Sequence, residues 1–391
     1  MYHGACLKYE KEMNKYYFIV KRSLLKAFLA MVMIAIFAFA AFAVKSDSKR
    51  INFKNRFIIG IYSAIYPQVV KECKEADFNC VQTYEQNDIY LKQYINEANK
   101  LGLYAMIYPL VDYAKYNAEN KLAIIDFVRK NNCANVIWYL ADEPDLSNDS
   151  SANNKLSELK EVVKIAAPDS TTALIVSTPA KFKDYINYVD VFMFDVYPIG
   201  MPCKGDYGVK NVAINAHKAI EAAGNKYPVW AVLQAFGYQN EKNHGWGWKR
   251  EPTYKEERAM TYLAIINGAK GVFYYTYGSP GYHIVNSPQH WADVKSIVAE
   301  LNVLTPVILS PIERSIKLDD GNNNRSIEFT ARYYRNKTFL FAVNTEEEPV
   351  KAKIIGGFEN CKVYGGDKIN VKNGRIEDVF LPLETKIYVC D

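Results

Sequence analysis

The run Val136-Ile137-Trp138-Tyr139-Leu140-Ala141 ends on Asp142-Glu143-Pro144. An apolar run of this length reads as a short buried strand, and the proline, which has no N–H for a ladder, stops it. Two adjacent carboxyls are therefore left at a strand end. A glutamic acid in such a place is a candidate general acid, because an apolar, carboxylate-rich setting raises its pKa toward working pH. The competing reading is a solvated loop carboxylate that caps the next helix. The choice rests on what else converges on that strand end.

Other strand-like segments end on residues of matching chemistry. The second ends at Tyr84 and the third near Asp112. The sixth ends at Asp195 with Tyr197, and the eighth at Tyr275 and Tyr277. The seventh ends at Gln234, and its loop carries His244, Trp246 and Trp248. Carboxylates and an amide bond hydroxyls, while aromatic faces cover the apolar side of a sugar ring. Thirty tyrosines and five tryptophans are in keeping with that. The expected catalytic carboxyls are Glu143, Asp142 and Asp195. The expected substrate contacts are Tyr84, Asp112, Tyr197, Gln234, Trp246, Trp248, Tyr275 and Tyr277. Taken singly, each has a plain structural alternative: Tyr275 as core packing, Trp248 as a loop pin, Asp195 as a loop cap. The five histidines are scattered and no C-x-x-C occurs, so neither a metal nor a cofactor is expected.

The elements that must position these residues alternate along the chain. Strands are expected at Phe57–Tyr62, Phe78–Tyr84, Tyr104–Tyr108, Val136–Ala141, Thr172–Val176, Val189–Val196, Pro228–Phe236 and Gly271–Tyr277. Helices are expected at Pro67–Ala76, Asp88–Leu101, Glu119–Asn131, Lys155–Ala167, Asn211–Ala223, Tyr254–Asn267 and Pro288–Leu304, with a short one after the fifth strand. Continuous apolar strands between amphipathic helices mean a parallel sheet covered on its outside. Eight repeats over residues 57–304 predict an α/β fold, a (β/α)8 TIM barrel whose active site lies at the C-terminal strand ends. An open doubly wound sheet is the alternative, but no Gly-x-Gly-x-x-Gly turn follows the first strand. After Pro306 the texture changes. Short strands at Ser326–Tyr334, Thr338–Asn344, Val350–Ile355, Cys361–Tyr364 and Thr385–Cys390, separated by turns such as Gly356-Gly357, predict a small C-terminal antiparallel β-sandwich over 305–391. Covering barrel helices is its expected role, with sugar binding as the alternative.

The strand-four Asp142-Glu143-Pro144, the strand-six Phe194-Asp195-Val196-Tyr197-Pro198 and the strand-seven Val229-Trp230-Ala231-Val232-Leu233-Gln234-Ala235-Phe236 resemble those of (β/α)8 glycoside hydrolases. So does Glu256-Glu257-Arg258-Ala259-Met260-Thr261-Tyr262 leading into Gly268-Ala269-Lys270-Gly271. The resemblance spans residues 57–304 and the appended sandwich. It implies an acid/base role for Glu143, because in the large clan of retaining hydrolases with this fold that glutamate ends strand four. The clan's nucleophile is a glutamate ending strand seven, where this chain has Gln234. Three routes remain. Asp142 and Glu143 resemble the adjacent pair of some (β/α)8 hexosaminidases, in which the substrate's acetamido group is the nucleophile. Asp195 can instead activate a water across the ring, with carboxyls about 6.5–9.5 Å apart. Or the barrel binds sugar without cleaving it. A carbohydrate is the expected partner in each case.

The N-terminal segment stands apart. Lys21, Arg22 and Lys26 precede an uncharged run from Ala27 to Val44 that ends in small-x-small triplets. Residues 1–44 read as a signal peptide or a signal anchor, with 45–56 a linker, so the rest is expected outside the cytoplasm, secreted or tethered. Met13 offers an alternative start. The chain has 48 basic and 43 acidic residues; without the six basic and two acidic residues of 1–44, 42 and 41 remain. That near-neutral balance offers no basic patch for nucleic acid, and membrane contact is expected only through an uncleaved N-terminus. Of the seven cysteines, Cys361 and Cys390 both lie in the final β-rich segment and are the preferred disulfide, with buried free thiols as the alternative.

Overall fold

The computed structural model describes residues 55–200, 208–224, 226–238, 247–321 and 326–391. The expected signal segment, Trp246, His244 and Cys203 lie outside the described residues. Eight parallel strands close into a barrel in chain order: β1 (Ile58–Ile61), β2 (Cys80–Gln82), β3 (Tyr104–Ile107), β4 (Val136–Ala141), β5 (Thr171–Val176), β6 (Val191–Val196), β7 (Val229–Gln234) and β8 (Gly271–Tyr275), with β8 pairing back onto β1. The helices between and after them are α1 (Pro67–Glu75), α2 (Asp88–Lys100), α3 (Lys121–Asn131), α4 (Ala152–Ala166), the short α5 (Phe182–Tyr185), α6 (Lys210–Ala223), α7 (Tyr254–Ile266) and α8 (Pro288–Ile308). Among the described residues, no helix is long and apolar enough to cross a membrane.

Strand alternation divides the barrel into two apolar layers. In β1, Ile59 and Ile61 join the layer beneath the helices, while Ile58 faces the barrel interior with Met106, Ile137, Met193, Trp230 and Phe273. The interior is filled, not hollow, as side-chain layers in such a barrel require. Gly60 is needed for that filling: a Cβ there would lie 2.2 Å from the Phe273 ring. The upper end of the interior is aromatic, with Tyr62, Tyr108 and Tyr139 all buried.

The Glu256-Glu257-Arg258 motif serves architecture. Thr253 and Glu256 form a capping box at the start of α7, so two otherwise orphaned helix donors are satisfied reciprocally. Glu256 also takes two hydrogen bonds from Arg250, at 2.8 and 2.6 Å. The break in texture at Pro306 is not a helix end, since α8 continues through it to Ile308. The proline sits in the last turn, so its missing N–H removes one helical bond, to the Asn302 carbonyl, near the helix end.

After the hairpin of β9 (Gly278–Ser279) and β10 (Tyr282–His283), the chain beyond α8 forms two antiparallel sheets. One has the order β11-β14-β18-β17, with β11 (Lys317–Asp319), β14 (Val350–Ile355), β17 (Val371–Lys372) and β18 (Arg375–Phe380). The other has the order β12-β13-β19-β15-β16, with β12 (Ile327–Tyr334), β13 (Lys337–Asn344), β15 (Cys361–Val363), β16 (Lys368–Ile369) and β19 (Thr385–Cys390). Leu340, Ile354, Ile376, Phe380 and Tyr388 pack between them. Cys361 and Cys390 stand directly opposite on β15 and β19 and form the expected disulfide. The other face of the second sheet lies on the barrel. Tyr262 of α7 stacks on Phe341 at 5.9 Å, and Arg258 bonds Glu300 twice and the Thr385 carbonyl once. The β domain covers α7, as expected.

Candidate active site

A regular strand would aim only one of two neighbouring carboxyls at the barrel mouth, because alternate side chains face opposite sides. β4 avoids this in two ways. Its register against β5 shifts between Tyr139 and Ala141. Glu143 then adopts the left-handed conformation, φ 45° and ψ 53°. Such a conformation costs a residue with a Cβ on the order of 1 kcal/mol. The Glu143 N–H is anchored on the Ile175 carbonyl of β5 at 3.2 Å. Asp142 and Glu143 consequently both line one cavity of about 530 Å³ at the C-terminal face of the barrel.

The cavity joins them to Asp195, Tyr84, Tyr197, Trp248 and Tyr275, all seven expected from the sequence. Asp195 lies on β6, is only 4% exposed, and sits beside Glu143 in the cavity. Its Oδ1 takes no hydrogen bond from any described donor. The rings of Tyr197 and Tyr275 lie 5.6 Å apart beside it. Trp248 donates its indole N–H to the Tyr197 carbonyl at 2.8 Å, so it pins its loop and lines the mouth at once.

Three expected contacts lie elsewhere. Gln234 is fully buried; its Oε1 accepts from Ile199 N–H at 2.8 Å and its Nε2 donates to the Ile199 and Phe236 carbonyls at 2.9 and 3.1 Å. Its amide clamps the loop after β6, leaving no donor for a ligand. Tyr277 turns away from the mouth, donating to Glu72 at 2.6 Å and packing on Trp291. Asp112 caps the turn Tyr113–Lys115 by accepting the Lys115 N–H. It sits near enough to influence Asp142 but does not line the cavity.

Sequence reasoning missed Tyr62, Tyr139, Phe236 and Tyr238. Tyr139 donates to Asp142 Oδ1 at 2.6 Å, and Tyr62 donates to the Tyr139 hydroxyl at 3.3 Å. Tyr84 lies beside Asp142 in the same cavity. The signal for Tyr62 was available, since it ends the first apolar run as Tyr84 ends the second. The signal for Tyr139 was its spacing three residues before Asp142.

These contacts set the electrostatics. Burial pushes the Asp142 carboxyl up to about 6; the Tyr139 bond opposes this, and the charge of Glu143 adds to it. Asp195 is held well above the usual carboxylate range, first by burial and then by Glu143 beside it. Like charges so close disfavour ionisation of Asp195. Among the described residues, no cluster of three His, Cys, Asp or Glu could hold a metal ion.

No protein-family model matches the sequence, and no curated protein matches it. Solved structures do. One is a GH27 β-L-arabinopyranosidase from Geobacillus stearothermophilus, with TM-score 0.60, 10% identity, and coverage of 87% of this chain and 97% of that one. Another is an α-amylase from Geobacillus thermoleovorans, with TM-score 0.58, 12% identity, and coverage of 88% and 99%. A third is a GH30 endoxylanase from Clostridium papyrosolvens, with TM-score 0.53, 13% identity, and coverage of 86% and 97%. The chain shares the fold of these proteins, a closed eight-stranded parallel barrel with an antiparallel β domain after it.

Proposed function

We propose that this protein hydrolyses glycosidic bonds in an oligo- or polysaccharide, with Glu143 as the proton donor to the leaving oxygen. The observation that carries the reading is the convergence of Asp142, Glu143 and Asp195 in one aromatic-walled cavity. Hydrolysis through an oxocarbenium-like transition state needs one protonated carboxyl and one ionised carboxylate near the anomeric carbon. Glu143 takes the part of the acid. Asp142, held by the Tyr139 phenol, carries the negative charge that steadies the developing cation. Tyr84, Tyr197, Tyr275 and Trp248 supply flat faces for the ring. Fold likeness to glycoside hydrolases agrees with this reading without identifying a sugar or linkage.

The test is Glu143→Gln, which keeps shape and hydrogen bonding but has no transferable proton. On any aryl glycoside that the wild type cleaves, the variant is expected to lose about 10²–10⁴-fold in kcat while still binding sugar. Full turnover in Glu143→Gln refutes the assignment. A wild type that binds glycans and cleaves none makes the barrel a sugar-binding protein.

A further inference from the structure

The mouth holds three carboxyls, and its described lining contains no lysine, arginine or histidine. One of them is held by a protein hydroxyl: Tyr139 donates to Asp142. Asp195 receives nothing comparable. It is 4% exposed, its Oδ1 has no described donor, and its close companion is another carboxyl. A buried acceptor with no donor is costly, and a negative one more so. A ligand that brings both a donor and a positive charge relieves that cost; a neutral ligand relieves part of it; an anionic one adds to it. The walls agree. The Tyr197 and Tyr275 rings stand beside Asp195, 5.6 Å apart and tilted by 33°, and Tyr62 lies 6.0 Å from Tyr275. Phenol faces attract cations.

We propose, resting on the glycoside reading above, that the substrate is an amino sugar with a free ammonium group, seated against Asp195 beside Tyr197 and Tyr275. An acetylated amine fits less well. Acetylation removes the positive charge that the carboxyls would meet. A uronic acid would meet three carboxyls and no described cation. One ammonium compensates one of the three carboxyls.

The experiment measures binding and cleavage of short oligomers in matched series: glucosamine and galactosamine, their N-acetylated forms, glucose and galactose, and the corresponding uronic acids. The free-amine oligomers are expected to bind about tenfold or more tightly than the acetylated and neutral ones, with uronic acids weakest. Asp195→Asn, which keeps size but not charge, is expected to erase most of that preference while changing affinity for the acetylated series little. Tyr275→Leu, which spares the carboxyls, is expected to cut the preference roughly threefold. Acetylated or neutral oligomers bound as tightly as the free amines overturn the inference and leave the hydrolase reading standing, because cleavage of those sugars still reports the chemistry. A preference that survives in both variants also overturns it. A panel in which no sugar is bound or cleaved overturns both.

Discussion

Tyr139→Phe isolates one term in the charge balance of the mouth. The hydroxyl it removes donates to Asp142 Oδ1 at 2.6 Å. Asp142 sits at about 6 against an ordinary 3.8 because burial and Glu143 outweigh that bond. A hydrogen bond to a charged group is worth about 1.5–3 kcal/mol, and 1.36 kcal/mol corresponds to about one pH unit. Without it, Asp142 should titrate roughly one to two pH units higher, at roughly 7–8. The sign for stability follows. The folded protein binds this proton more tightly than the unfolded chain, so the stability it brings is full below about pH 4 and is lost as pH rises through about 6. In the variant the loss continues through about pH 8 and grows by roughly 1.5–3 kcal/mol. Tyr62, which donates to the Tyr139 hydroxyl, loses its acceptor and adds a pH-independent cost of about 1 kcal/mol. Urea unfolding of both proteins at pH 4, 6 and 8.5 separates the two effects, and Asp195, common to both, cancels. Equal pH dependence in the two proteins refutes the claim that Tyr139 favours the ionised carboxyl.

Three further outcomes follow from particular contacts. Arg258→Ala removes the paired bonds to Glu300 and the bond to the Thr385 carbonyl; it should cost about 2–3 kcal/mol in denaturant unfolding, part of it from the stranded Glu300. Gln234→Glu restores a glutamate on strand seven but faces it with two carbonyls; it should lower the melting temperature and raise no activity, so a gain in turnover on aryl glycosides would contradict the clamp role. Cys361→Ser with Cys390→Ser opens a loop of sequence separation 29 and should cost about 3–4 kcal/mol by chain entropy, read as a lower urea midpoint in the oxidised protein.

The barrel was legible because its strands are buried on both faces and so read as unbroken apolar runs between amphipathic helices. The weak β5 return was legible too, since its helix is only Phe182–Tyr185. The β domain was harder. Strand β18, Arg-Ile-Glu-Asp-Val-Phe, places Ile376 and Phe380 in the core, but charged neighbours hide the alternation. In the site, strand-end position marked Glu143, Asp195 and Tyr84 correctly as lining residues, yet position alone does not determine direction. Gln234 and Tyr277 occupy strand-end positions and turn to backbone carbonyls and Glu72 instead. That Asp142 and Glu143 reach the same cavity depends on a register shift and a left-handed residue, and neither has a signature in an apolar run followed by Asp-Glu-Pro.

The treatment of buried charge elsewhere in the chain bears on why the mouth is built as it is. Asp190 meets Lys164 at 2.6 Å and takes two bonds from Thr172. Asp145, 2% exposed, accepts the Ser177 and Thr178 amides. Glu257 meets His290, Glu256 meets Arg250, and Glu300 meets Arg258. Each such pairing offsets a desolvation cost of several kcal/mol per ion. The barrel mouth brings three carboxyls together with no described cation in its lining, and there Glu143 also carries backbone strain. A lysine on β5 or β7 would relieve that cost, and neither strand carries one. Sites built for chemistry hold such unrelieved terms because the substrate, not the fold, is what neutralises them. The stability forgone at the strand ends is therefore the structural mark that separates these three carboxyls from the others.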